Sequence, residues 1–291
     1  CTTCPENLTP KNDERSTYVM PWGEEYVTKD IEYRQGALKS GGCISHQIAK
    51  SRMDNDPFAE NLARLAEEEA LNKAQIINIT GGQSKLIKVW VHVVWKENYQ
   101  NISQSQIESQ IKALNRGFGG GGGRFGYFPD RWQNATANTC IQFELAGVTR
   151  KYTELDGFTP TYQPGETDSI KHDSTGGSDA VSGHLNMWVG HVVVDGGYCL
   201  FGYGMFPSYR MDLHPEGNED GVVMDHRCFG DHVGTAGAAN AGRENDGCDG
   251  AYDGSWNENP ATAKDSGIIG VHEVGHFLGL RHIWGDGNCS A

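Results

Sequence analysis

Hydrophobic and polar positions alternate through "LIKVWVHVVW", residues 86 to 95, which puts Ile87, Val89, Val91 and Val93 on one face and a mixed set on the other. A period of two predicts a strand, here one buried mostly on one side. The following segment, "NISQSQIESQIKALNRGF", changes period, and Ile107, Ile111, Leu114 and Phe118 form a helical stripe. Ser103 and Gln106 stand where a capping box opens such a helix. Strand followed by helix predicts α/β or α+β architecture. The later apolar stretches "CIQFEL", "HLNMWVGHVVV", "YCLFGYGMF" and "GVVMDHRCF" predict further strands between Gly- and Asp-rich loops.

Upstream of this region the texture differs. Residues 1 to about 55 mix Pro, Gly, Ser and charge with few apolar runs and predict irregular structure. A helix is expected next, with Asp56 as N-cap, Pro57 at the first position and Phe58, Leu62 and Leu65 on one face. "NITGGQSK", residues 78 to 85, breaks it. The run "GGGGG" from 119 to 123 predicts a surface loop or hinge; no Gly-Lys-Ser/Thr follows it, so it is not a phosphate loop. The polar stretch from about 234 to 264 is long enough to be a candidate for function, ion binding or disorder.

The last periodic segment carries the chemistry. "SGIIGVHEVGHFLGL" has helical spacing, with Ile268, Val271, Val274, Phe277 and Leu278 able to face a core and Asp265 or Ser266 able to cap it. His272 and His276 are four apart and share one face, so both imidazoles can reach one metal. Glu273 can reach a water on that metal without being a ligand. Gly279 can accept the left-handed conformation that reverses the chain, which returns His282 as a third nitrogen donor. Three neutral His donors with a fourth position open describe a catalytic zinc site; a structural site closes with four protein ligands. The full pattern HExxHxxGxxH should arise by chance in about one in ten thousand chains of this size, so surface histidines on an amphipathic helix are a poor alternative.

Charge and cysteine usage narrow the setting. A formal net charge of -14 and a pI near 5.2 argue against nucleic-acid or anionic-membrane partners, which need clustered Lys and Arg. No run of eighteen apolar residues exists, so no transmembrane segment is expected. Eight dispersed cysteines indicate an oxidising compartment and disulfides; Cys1 and Cys4 form one CxxC without a second pair. The protein is therefore expected to be secreted or extracellular. Cys1 is compatible with the lipid-bearing residue of a processed bacterial lipoprotein, with a disulfide cysteine, or with an arbitrary fragment start. Sequons at Asn7, Asn78, Asn101, Asn134 and Asn288 permit N-glycosylation in a eukaryotic secretory pathway. Oligomeric state is not legible.

On the zinc motif together with "IKVWVHVVW", "NISQSQIESQIKALN", "LNMWVG", "FGYGMFP", "DGVVMDHRCFG" and "HEVGHFLGLRHIWGD", the sequence resembles the pappalysin (cytophagalysin) family of metzincin metalloendopeptidases over most of residues 84 to 286. The resemblance implies an α+β fold: a twisted, mixed five-stranded sheet with a backing helix and a zinc-binding active-site helix, preceded by a mostly irregular or helical pro-segment. It divides the chain into a pro-segment at 1–82 and a catalytic domain at 83–291. It implies one catalytic Zn2+ on His272, His276 and His282, with Glu273 as general base and acid in peptide-bond hydrolysis. It also implies an edge strand of Phe201, Gly202, Tyr203 and Gly204 on which protein or peptide substrates bind in extended form.

In this family a pro-segment cysteine can occupy the open zinc position. Cys43, in "GGCIS", lacks the neighbours usual for such a switch, so zymogen switch and disulfide partner remain equal alternatives for it. Calcium occurs in the family, and Asp246, Asp249 and Asp253 offer oxygen ligands without EF-hand spacing. His191, His214, His226 and His232 are each more often core or surface residues than ligands. Metzincins carry a methionine turn beyond the third His, and no Met follows Met224. The chain is thus expected to stop short of the C-terminal subdomain, and two readings follow: a secreted zinc endopeptidase zymogen, or a catalytically incomplete zinc-binding fragment acting as a binding or inhibitory module.

Overall fold

The structure is a computed structural model that describes residues 16–19, 25–28, 44–45, 48, 84–119, 139–160, 167–194, 198–206, 219–230 and 267–282. The helix expected from Asp56 onward, the switch candidate Cys43 and the candidate calcium ligands Asp246, Asp249 and Asp253 lie outside the described residues.

Two short strands, β1 (Ser16–Val19) and β2 (Glu25–Thr28), pair antiparallel. The main architecture is a five-stranded mixed sheet built from β3 (Lys85–Trp95), β4 (Ile141–Tyr152), β5 (Leu185–Gly190), β8 (Gly202–Gly204) and β9 (Val222–Asp225). Its order is β4-β3-β5-β9-β8; β8 alone runs antiparallel and forms one edge. A small ribbon, β6 (Val193–Val194) with β7 (Tyr198–Cys199), joins β5 to β8. Helices α1 (Gln104–Phe118) and α2 (Ile268–Phe277) complete the α+β fold.

Both helices cover one face of the sheet. Val89, Val91 and Val93 of β3 meet Ile107, Ile111, Leu114 and Phe118 of α1 and Val274 of α2 in one core. Burial of each such side chain contributes about 1.5–3 kcal/mol, so the period-two and period-3.6 stripes suffice to dock α1. From α2, Ile269 packs there rather than the expected Ile268, together with Val271, Phe277 and Leu278. Asn115 closes the β4 edge of the sheet: its amide donates to Phe143 O at 2.8 Å, and its carbonyl accepts from Phe143 N at 2.8 Å.

Three local expectations are corrected. β3 is buried on both faces toward its end, with His92 and Val94 inaccessible as well as Val93, because it is an interior strand of a largely parallel sheet. Ser103 does cap α1, accepting from Gln106 N at 3.2 Å, but the Gln106 side chain does not return to it. That amide donates instead to His226 O (3.3 Å) and Phe229 O (2.8 Å), tying α1 to the loop after β9. At α2 the N-cap is Gly267, with φ 71° and no side-chain cap bond, in place of Asp265 or Ser266.

The opposite sheet face is covered by loops and by Ile44 and Ile48. Val94, Trp188, Tyr203 and Val223 pack with Phe158, Ile170, Leu200 and Met205, and Ile44 and Ile48 join them, both buried. Buried polar groups pin β8 to this layer. Tyr203 donates its hydroxyl to Asp168 Oδ2 (2.6 Å), which also pairs with the fully buried Lys171 (3.0 Å). Lys171 donates to Glu219 O (2.8 Å) and lies over the Trp188 and Tyr203 rings.

Candidate metal centre

Helix α2 and the turn after it assemble the site. Leu278 caps the helix; Gly279 N donates to His276 O (2.8 Å) and Leu280 N to Gly275 O (2.9 Å), the bonding of a Schellman motif. Gly279 has φ 91°, the left-handed conformation that glycine adopts without a Cβ penalty. The reversal returns His282 to the face carrying His272 and His276.

The three Nε2 atoms form a nearly equilateral triangle: 3.1 Å for His272–His282, 3.1 Å for His272–His276 and 3.2 Å for His276–His282. Tetrahedral coordination at about 2.0–2.1 Å places nitrogen donors about 3.3 Å apart, so the donor set fits a metal ion. The hydrogen bonding supports that fit. His276 Nδ1 lies 2.7 Å from Leu280 O, an acceptor only, so Nδ1 carries the proton and Nε2 presents a lone pair to the triangle. The site opens into a cleft of about 460 Å³ lined by Gly117, Phe118, Thr139, Val271, Gly275, Leu280 and Arg281 beside the histidines. The Phe206 ring lies against His276, 5.3 Å between centroids.

Glu273 is almost wholly buried between α2 and the edge strand. The approach of the two elements requires glycine at 204: a Cβ there would stand 2.2 Å from Glu273 O and 3.1 Å from the His276 Cβ. Gly202 and Tyr203 are buried in the same strand, and Phe201, half-buried, packs on the main core. The structure thus brings Glu273, the three histidines and the β8 residues into one neighbourhood.

Sequence reasoning missed Ser45. Its hydroxyl donates to Glu273 Oε2 at 3.1 Å and accepts from Gly204 N at 2.9 Å. A residue from the first 82 therefore bridges the candidate base to an outward-facing amide of the sheet edge. Its place two residues after Cys43 was the only available signal.

A second polar cluster lies at the carboxyl ends of β5 and β9, formed by His191, Asp225 and His226. Asp225 Oδ1 accepts from Arg227 N (2.9 Å) and Arg227 Nε (2.6 Å), and Oδ2 accepts from Val192 N (3.0 Å). Burial would raise this carboxyl, but Arg227 and the surrounding bonds hold it well below the usual range. Burial pushes the His226 imidazole down to about 4.

No family model and no curated protein matches the chain. Solved structures do. Mature mirolysin of Tannerella forsythia in complex with a cleaved peptide is 33% identical, with a TM-score of 0.53, over 70% of this chain and 67% of that one; mirolysin in complex with a small compound gives the same figures. A promirolysin mutant from the same organism is 29% identical, with a TM-score of 0.52, over 78% of this chain and 69% of that one. The chain also has mirolysin's mixed five-stranded sheet with helices, and it belongs to the metalloprotease family of mirolysin.

Proposed function

We propose that this chain is the zymogen of a secreted, zinc-dependent metalloendopeptidase of the pappalysin branch of the metzincins. The observation that carries the reading is the triangle of His272, His276 and His282 Nε2 atoms beside the buried carboxylate of Glu273. A zinc ion on three neutral imidazoles would supply Lewis-acid polarisation of the scissile carbonyl and would lower the pKa of a water toward neutrality. Glu273 would take the proton from the attacking water and pass it to the leaving amine. His276 is held in one tautomer by Leu280 O, which keeps its Nε2 lone pair available. Phe201 and the β8 residues Gly202, Tyr203 and Gly204 would receive an extended peptide through main-chain bonds, the outward Gly204 amide among them.

Residues 1–82 act in this reading as the inhibitory pro-segment. Two observations support it: Ser45 occupies both Glu273 and the Gly204 amide, and the pro-form of mirolysin covers 78% of the chain against 70% for the mature form. Cys43 stays a candidate for the open metal position, and calcium at Asp246, Asp249 and Asp253 stays a proposal. Cleavage between Gln75 and Lys85 would release the enzyme. Zinc content and chelator-sensitive hydrolysis of a mixed peptide library, before and after such cleavage, test the assignment. One zinc per chain at the His272 triad, with hydrolysis rising sharply above a low basal rate on cleavage, is expected; hydrolysis that survives removal of all metal would contradict it.

A further inference from the structure

We propose that His191, Asp225 and His226 form a second metal site, separate from the His272 triad, that takes a divalent transition-metal ion of the zinc class. The strand register creates it. β5 and β9 are parallel neighbours with Gly190 opposite Asp225, so His191 and His226 follow at equivalent places where the two strands end. One donor atom from each of the three residues lies within 4.8 Å of the others.

Hydrogen bonding among the described residues leaves this cluster unsatisfied. His191 and His226 are each more than nine-tenths buried, and the Nδ1 atom of each has no hydrogen-bond partner among the described residues. Both nitrogens face the Asp225 carboxylate, His191 Nδ1 at 3.5 Å from Oδ2 and His226 Nδ1 at 3.3 Å from Oδ1, too far or too poorly aligned to bond. Either tautomer then strands a polar atom: a protonated Nδ1 is a donor without an acceptor, and a bare Nδ1 sets a lone pair against a carboxylate. An ion between the three groups satisfies all of them at once. The two imidazole–carboxylate separations, each to a different oxygen of Asp225, lie close to the roughly 3.3 Å expected between donors of a four-coordinate ion at about 2.0–2.1 Å, and the whole donor set lies within 4.8 Å.

The carboxylate is already held for this role. Arg227 takes Oδ1 with its backbone N–H and its guanidinium, and Val192 N takes one lone pair of Oδ2, leaving the other directed to the cluster. Two imidazole nitrogens and one carboxylate oxygen select zinc, cobalt(II) or iron(II) over calcium and magnesium, which take oxygen. An ion there ties the end of β5 to the end of β9.

The test uses the uncleaved 291-residue chain, stripped with chelator and reloaded with zinc or cobalt(II), and reads metal per chain and the cobalt visible spectrum. Two ions are expected for the unmodified chain and one for His272→Ala with His276→Ala, whose residual cobalt bands report the proposed site without depending on the peptidase reading. His191→Asn and His226→Asn, each added to that variant and checked for folding by circular dichroism, should lose the remaining ion. Loss from either folded variant supports the site. An ion already absent from the His272→Ala, His276→Ala variant overturns it, as does an ion retained with unchanged bands in both asparagine variants.

Discussion

Ser45→Ala in the intact chain should raise basal peptidase activity. The hydroxyl donates to the Glu273 carboxylate and accepts from Gly204 N, and Ser45 and Glu273 are both buried. A hydrogen bond to a charged group contributes about 1.5–3 kcal/mol, and the alanine leaves the edge amide without this acceptor. Taking about 2 kcal/mol for the closed state, and tenfold per 1.4 kcal/mol, the open fraction rises about 30-fold. Ile44 and Ile48 hold the same segment by apolar burial, so Ile48→Ala, at about 2–5 kcal/mol, should open it at least as far. The assay is the initial rate of cleavage of a quenched peptide by the uncut chain, with gel electrophoresis to show that the chain stays uncut during the reading. Once the segment is removed by cleavage before Lys85, the serine variant and the unmodified protein become the same molecule and should have equal rates. Equal basal rates before cleavage, alongside an active cleaved enzyme, would refute the idea that Ser45 helps to keep the site closed.

Gly204→Ala should abolish hydrolysis, because its Cβ would stand 2.2 Å from Glu273 O and force β8 and α2 apart; rates before and after cleavage, with folding checked by circular dichroism, decide this. Lys171→Ala should cost about 3–5 kcal/mol by leaving Asp168 buried without its cation, read as a lower urea midpoint; Lys171→Met with Asp168→Asn, which removes both charges and keeps an acceptor for the Tyr203 hydroxyl, should recover part of it. His92 has its pKa lowered from 6.5 by burial, so the unfolded chain binds the extra proton first. Its contribution to stability is complete above pH 6.5 and is lost as the pH falls through the folded pKa; urea midpoints should decline over that range, and His92→Gln should flatten the decline.

The sequence and the structure agree most closely where periodicity decides the outcome. Val89, Val91 and Val93, and the Ile107 to Phe118 stripe, face one core because the periods of strand and helix leave no other dry face. Gly279 and the histidine spacing are legible for a similar reason: the turn and the four-residue step are local, and local geometry brings the Nε2 atoms together. What depends on distant neighbours is not legible in this way. The second buried face of β3 follows from its interior place in the sheet, and Gln106 leaves the cap because two carbonyls of the β9 loop lie within its reach. His191 and His226 look ordinary when each is taken alone. They meet only because Gly190 and Asp225 share a register, which no spacing between residues 191 and 226 encodes. Ser45 is the same case across 228 positions.

The most direct test compares the zinc-loaded chain, cleaved before Lys85, with its Glu273→Ala counterpart on a mixed peptide library, with zinc content measured for both. Removing a general base typically costs about 100- to 10,000-fold in rate, while the three histidine donors stay in place. Equal zinc at the His272 triad and hydrolysis by the unmodified chain alone are expected. Equal hydrolysis by both, or no zinc on the His272 triad in either, would contradict the assignment.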